Sequence, residues 1–531
     1  MKRRIESGNT LPERMEHHAD KSWFSLSFNH KTTTSMGMLI PLATKEVYPG
    51  ELVRLQNEIK LMFAQLYLPI MHQCYFTCDW FYVRNGTLWD RGASPVDNWE
   101  TFIKEDPMQT ATEWPWFYYK RADAVFTDGI LNYMGFNAPP GSGTLISQIK
   151  VSALPPLAYA QIWNQYFRND QIQPDIFAVS EFVQGGDNTT FIEQLLPDLR
   201  VLRRNWPRDY YTSATPTPQQ GENVLIPSFA TDPETGDFVP QKIFKLDGTD
   251  ALAGAQLETK SATGMTVLGY NASADPLVLQ LSSTIRDFRY AAQMTEYLER
   301  SLRAGDRYVD FVQRNFGYNP NPLYIDRPVW IGGYTGDIFI SEVLATAEAG
   351  DYTVGEYTGQ ALARDNTPIF TYQCPDYGFI MCLITVYPKA SYYSGLENMW
   401  TRVTKMDYMW EQFALIGDQP MKNKEVWFSW YDADIDWNDE IFGYLPQYTQ
   451  HKYSNDIVSG QMRTLWEGFH LGRKFIQASD VVLNSDFITC TPDIGRVFNV
   501  DAEAGEHECF VHAFNKIEVL RRLPKNALPQ L

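Results

Sequence analysis

The chain has 531 residues, 44% of them hydrophobic and 21% charged, with 64 acidic against 45 basic side chains for a formal net charge of −19. That composition excludes wholesale disorder and collagen-like repeats, and the length points to about three or four domains unless a large β architecture absorbs it into one. The acidic balance argues against a general nucleic-acid binder and leaves room only for a local basic face.

Residues 1–22, MKRRIESGNTLPERMEHHADKS, carry basic residues with no apolar run behind them, so they do not read as a secretory signal. Charged and without periodicity, they read as an arm that need not be ordered. Residues 33–42, TTSMGMLIPL, have the character of a strand. Further on, Leu52, Leu55, Ile59, Met62 and Leu66 fit a helix, whereas Val53, Leu55 and Ile59 equally allow a strand, and the pattern leaves both open. Residues 72–83, HQCYFTCDWFYV, are rich in aromatic and β-branched side chains and predict a strand. Pro155-Pro156 suits a first helical turn and opens a helix with Leu157, Ala160, Trp163 and Phe167 at three-to-four spacing.

Residues 219–283 are full of Gly, Thr, Ala, Asp and Pro with little periodicity. A stretch this long is functional or unstructured, and the elements on either side make it a surface insertion rather than a linker. A second helix starts near Thr284, sets Ile285, Phe288, Ala292, Leu298 and Leu302 on one side, and stops at Gly305. Residues 378–387, GFIMCLITVY, are continuously apolar but far shorter than a membrane-spanning helix needs, and read as a buried strand. A third helix is expected over 397–416, through Trp400, Val403, Trp410 and Phe413, with Gly417 as its stop. Residues 508–520 form a last strand with Phe510, His512 and Phe514 on one face. Strands at both ends of the chain, separated by long helix-bearing excursions, suggest a sandwich closed by its own two ends.

Chemistry-bearing patterns are sparse. None of the eight histidines sits in an HExxH, no Cys/His spacing resembles a zinc site, and the glycine motifs of phosphate loops and nucleophile elbows are absent. Asp432, Asp434, Asp436, Asp439 and Glu440 begin like a calcium loop. Trp437 then stands where that loop needs glycine and Gly443 where it needs a bidentate Glu, so the segment reads as a polar, exposed loop. Cys74 and Cys78, four apart on a strand, sit about 13 Å from each other and cannot bridge. Six cysteines in so long a chain suggest free, mostly buried thiols in a reducing compartment. No catalytic residue, metal or cofactor is expected.

Aromatics reach 14%, and with many carboxylates they could build a glycan cleft, so a β-sandwich carbohydrate-binding or carbohydrate-active protein is the alternative reading. No carboxylate pair is singled out for it. Aromatic runs beside Pro and Gly, such as Trp114-Pro115-Trp116-Phe117-Tyr118-Tyr119, fit extensive subunit contact better. Basic residues gather at Lys2, Arg3, Arg4, at Arg200, Arg203, Arg204, Arg208, and at Arg521, Arg522, Lys525; each group is in the first place a solvated surface.

The order of phrases resembles one family, the major capsid proteins of microviruses, small single-stranded DNA bacteriophages, and their gokushovirus-like branch in particular. Residues 24–51, FSLSFNHKTTTSMGMLIPLATKEVYPGE, are similar to its N-terminal signature. Leu68-Pro69-Ile70-Met71-His72, Leu88-Trp89-Asp90, Trp163-Asn164-Gln165-Tyr166-Phe167-Arg168 and Arg208-Asp209-Tyr210-Tyr211 follow in the family's order. So do Arg327-Pro328-Val329-Trp330-Ile331-Gly332-Gly333, Gly417-Asp418-Gln419-Pro420 and Leu520-Arg521-Arg522-Leu523-Pro524. Arg84-Asn85-Gly86 departs, standing where the family usually carries a proline.

The resemblance implies a mainly β fold, an eight-stranded antiparallel jelly-roll sandwich with long loop insertions containing several helices, spanning residues 1–531 as a single domain built from both chain ends. It implies self-assembly into a T=1 icosahedral shell around single-stranded DNA, with 219–283 projecting outward for host contact. The implied partners are the packaged DNA, a small basic DNA-packing protein, other minor virion or scaffolding proteins and a bacterial surface receptor, with no membrane insertion. The protein would be made and assembled in the bacterial host cytoplasm and end in the virion. Lys2, Arg3, Arg4, Arg521, Arg522 and Lys525 are the candidate DNA-facing residues.

Overall fold

The computed structural model describes residues 21–523 apart from 69, 90–98, 105–112, 121–128, 137–147, 179–181, 183–185, 222–260, 263–264, 267–284, 339, 342–359, 432–434 and 502–504. The chain divides into two compact units: Met1–Pro216 with Asp306–Leu531, and Thr217–Gly305.

The first unit is built on two antiparallel sheets. Among the described residues they are carried by β1 (Ser22–Ser25), β2 (Phe28–Thr34), β3 (Ile40–Val47), β4 (Leu52–Phe63), β5 (Cys74–Arg84), β6 (Val329–Ile338), β7 (Gln360–Asn366), β8 (Phe370–Gln373), β9 (Gly378–Pro388) and β10 (Cys509–Arg521), with the two-residue strand Ile340–Ser341 at the edge of β7. In the larger sheet β10 is central. It pairs on one side with β1 and β2 in succession and on the other with β4, whose far edge takes β7 and β8. The smaller sheet runs β6-β5-β9-β3. The first and last described strands therefore lie side by side, as the sequence suggests.

Alternation explains the larger sheet. Val53, Leu55, Asn57, Ile59, Leu61 and Phe63 of β4 point inward and are buried, so the segment whose pattern allowed helix or strand is a strand. Their neighbours on β10 are Val511, Ala513, Asn515, Ile517 and Val519, also buried. The smaller sheet is covered on both faces. Ile380, Cys382, Ile384 and Val386 of β9 meet the larger sheet, while Phe379, Met381 and Leu383 meet a layer containing α1 (Leu154–Ile162). Burial on both faces is why β9 reads as one unbroken apolar run.

α1 opens with prolines in its first turn, continues as a π-helical turn over Trp163–Phe167, and is apolar nearly all round because it is enclosed. The strand expected over 33–42 is instead two. β2 and β3 are separated by a turn at Gly37, whose φ of +86° suits glycine and where an added Cβ would meet the Cys490 carbonyl. The Trp114–Tyr119 aromatics are divided between the interior and the surface, with Trp114, Trp116 and Tyr118 half-buried. Pro115–Lys120 is a strand with Phe117 and Tyr119 buried, and Trp114 packs edge-on against Trp89 and Trp99. All six cysteines are free and buried, and the close pair of thiols is Cys78 and Cys382, 3.2 Å apart across β5 and β9.

Two polar devices fix the core. Asn57 and Asn515, cross-strand partners, bond side chain to side chain at 2.6 Å, and Trp80 donates its indole N–H to Asn57 Oδ1 at 2.6 Å. Glu508, fully buried, accepts from the Met36 N–H at 2.5 Å and from the Ser35 hydroxyl at 3.3 Å. Burial pushes the Glu508 carboxyl up, against those hydrogen bonds and the Arg203 charge. A carboxyl raised in the folded state contributes most at low pH, and its contribution falls as pH rises above its unfolded value. The stability of Glu508→Gln relative to the parent should therefore improve steadily as pH climbs from 4.5 toward neutrality. Urea unfolding at a series of pH values measures this; a difference that stays flat would refute the buried-charge account.

In the second unit, α2 (Ile285–Ala304) ends at Gly305, φ +105°, as its stop signal predicts. A two-residue hairpin, Ser261–Ala262 with Met265–Thr266, is its other regular element among the described residues. Most of 219–283 lies outside the described residues.

Candidate subunit interface

Over 397–416 the expected helix is absent. Three separate 3-10 turns stand there, Asn398–Thr401, Lys405–Asp407 and Glu411–Phe413, followed by Gly417. Of the four apolar side chains whose spacing suggested a helix, Trp400 (73% exposed) and Val403 (88%) face outward while Trp410 and Phe413 are half-buried; Leu415 (96%), Met406, Tyr408 and Met409 are exposed beside them.

The backbone beneath them is nonetheless fixed. Asp407 accepts from the Val403 and Thr404 N–H groups at 2.9 and 2.6 Å in a capping box, which holds its carboxyl below the usual range. Trp410 donates its backbone N–H to the Tyr448 hydroxyl at 3.1 Å and its indole N–H to the Lys405 carbonyl at 3.1 Å. Arg402 bonds Asn398 Oδ1 at 3.2 Å. Behind the segment, Glu425 accepts from Tyr210 at 2.9 Å and offers its carbonyl to Tyr211 at 2.9 Å. Burial raises the Glu425 carboxyl despite these bonds.

A second apolar area belongs to the same unit. Trp430 is 86% exposed and packs on Phe428 at 4.8 Å, beside a cleft also lined by Tyr431, Arg463, Thr464 and Ile476. Apolar side chains held outward on an ordered backbone gain nothing in a single chain. They match the composition of large protein contacts, where Trp, Tyr and Met concentrate.

Of the candidate DNA-facing residues, Lys2, Arg3, Arg4 and Lys525 lie outside the described residues. Arg521 ends β10 as a structural group: its Nε is 2.6 Å from Glu51, it donates to the Glu46 carbonyl at 2.9 Å, and it stacks over Tyr48. Arg522 follows it and is exposed. The 200–208 basic cluster is also largely structural, with Arg203 bonded to the Met36 carbonyl at 2.8 Å and Arg204 stacked 3.8 Å over Tyr387. In the acidic run, Asp432 and Asp434 lie outside the described residues, Asp436 and Asp439 belong to the short helix Ile435–Asp439, and Glu440 follows it. Asp439 pairs with Lys422 and Lys424 at 2.9 and 2.8 Å. Among the described residues there is no cluster that could hold a metal ion, and no helix is long and apolar enough to cross a membrane.

Sequence comparison agrees with this surface. The chain matches the model of the family described as capsid protein (F protein) over residues 14–531. It is 28% identical to capsid protein VP1 of Chlamydia phage 1, covering 90% of this chain and 91% of that one. Against capsid protein VP1 of Bdellovibrio phage phiMH2K the identity is 26%, over 91% and 88% of the two chains. Against capsid protein VP1 of Spiroplasma virus 4 it is 25%, over 82% and 81%. These matches give the carbohydrate reading no support. A mainly β scaffold, an ordered apolar surface and a match along nearly the whole length identify a structural protein, and the chain belongs to the capsid protein (F protein) family.

Proposed function

We propose that this chain is the repeating subunit of a T=1 icosahedral shell that encloses a single-stranded DNA genome. The observation that carries the reading is the outward-facing apolar segment 397–416, which a second copy of the chain would bury. The occupant is another copy because a closed shell needs every subunit to offer such faces to its neighbours. A small basic DNA-packing protein, minor virion or scaffolding proteins and a bacterial surface receptor are the further partners, and assembly takes place in the bacterial cytoplasm.

The scaffold is read as an eight-stranded jelly roll. Counting β2, β3, β4, β5, β6, β7 with β8, β9 and β10 as strands one to eight, the larger sheet runs 1-8-3-6 and the smaller 2-7-4-5, an order two Greek keys produce. The 219–283 segment is read as an insertion on the outer surface for host contact. Its composition and its place within a separate compact unit support this.

Negative-stain microscopy and light scattering on the purified chain test the reading. Uniform closed particles of many copies are expected; a persistent monomer, with and without cell lysate as a source of scaffold, would sink it. Removing 219–283 should leave particles able to form, and a deletion that unfolds the chain would refute the insertion assignment.

A further inference from the structure

The inner face of the larger sheet is core; its other face is open, and the strand register writes a basic line across it. Lys31 on β2 is opposite His512 on β10, His512 opposite Lys60 on β4, and Lys60 opposite Arg364 on β7. Cross-strand partners share a face, so these four side chains stand in one row, about 14 Å long at ~4.8 Å between strands. All four are exposed. Lys516 lies four positions along β10 from His512, on the same face and also exposed.

Aromatic rings flank the row. Phe510 and Phe514 are the same-face neighbours of His512 on β10, and Phe510 is 45% exposed. Phe510 sits opposite Thr33 and Met62, Phe514 opposite Asn29 and Glu58. Lys31, Thr33, Lys60, Met62, Phe510 and His512 line one shallow depression. Glu58 is the carboxylate of the adjoining row. Among the described residues no ion pair neutralises Lys31, Lys60 or Arg364.

We infer that this strip is a contact for single-stranded DNA, in which the cations meet phosphates and Phe510 and Phe514 offer stacking faces to bases. Concentrating unpaired cations in one row is costly to arrange on a chain of net charge −19 unless a polyanion meets them. A cation row flanked by rings that stack on any base suits a strand packaged without regard to sequence. The inference rests on the shell reading for its ligand, and it turns the open face of the larger sheet toward the shell interior.

The test uses the full chain kept dissociated at low concentration, a labelled 20-nucleotide oligothymidylate, and anisotropy titrations across salt. Neutralising the row in Lys31→Gln, Lys60→Gln, Arg364→Gln should make the slope of log affinity against log salt shallower by about 2, at ~0.7 for each phosphate no longer neutralised. Lys31→Arg with Lys60→Arg should keep the parent slope, and Phe510→Ser should weaken binding about tenfold with the slope unchanged. An unchanged slope in the Gln variant, with an unaltered melting curve, overturns the inference. So does a poly-glutamate peptide that binds as tightly as the oligonucleotide and ignores Phe510→Ser, which would mark a site for an acidic protein. Microscopy separates the two readings: particles with an unchanged slope sink the strip alone, and a slope change without particles sinks the shell alone.

Discussion

Asn57→Ala should lower the stability of the isolated subunit by about 2–5 kcal/mol, because it strands two buried groups that cost ~1–3 kcal/mol each when unsatisfied. Trp80 loses the acceptor of its indole N–H, and Asn515 Oδ1 loses its donor, between two sheets with no route to water. The main-chain bonds at this position survive the substitution, so the loss comes from the side-chain network alone. Asn57 stands where the edge of β4 passes from β8 to β7, and there its N–H donates to Thr367 Oγ1 at 2.8 Å while its carbonyl accepts from Thr367 N–H at 2.9 Å. Urea unfolding followed by tryptophan fluorescence gives the loss. Trp80→Phe in the Asn57→Ala background should cost far less than in the parent, since the donor it removes is already orphaned. A single-variant loss below about 1 kcal/mol, or additive losses, would show that the network does not hold the sheets together.

Val403→Asp with Leu415→Asp should abolish particle formation while leaving the subunit folded. Both side chains are almost fully exposed in the single chain, so the change costs the monomer no more than about 0.5 kcal/mol. In an assembled shell each carboxylate would be buried against a neighbour at several kcal/mol, repeated at every contact. Sedimentation of the parent and the variant, with thermal melting of both, separates the two effects. Particles in parental yield would remove the 397–416 surface from the interface. Lys452→Gln, a change at a nearby exposed position, serves as the control that should assemble normally.

These two variants also mark what a reading of the residues could and could not reach. The buried strand at 378–388 and the closing strand at 509–521 were legible because their periods follow burial within one chain. β4 stayed ambiguous because Asn57 interrupts its inward apolar face with a polar side chain that only a partner on β10 and another on β5 make sense of. The 397–416 segment misled for a different reason. Burial within the chain does not account for its apolar side chains, whereas a neighbouring copy in the proposed shell would, and a capped turn at Asp407 suffices to hold the segment there without a helix. Arg521 was legible as a charge, not as the partner of Glu51. The basic strip was out of reach, since residues 31, 60, 364 and 512 are neighbours only through the register of four strands.

That same register bears on how the chain comes to be folded. Ser27 bonds the Ile517 carbonyl across a separation of 490 positions, so the middle strand of the larger sheet emerges from the ribosome long after the strands on both its sides. Until it arrives, β2 and β4 have nothing between them, and each presents an open edge. Pairings this distant in sequence make for slow closure and for an intermediate prone to pair with the wrong chain. Synthesis rate and chaperone supply, rather than the strength of the finished core, would then govern how much usable subunit a cell obtains.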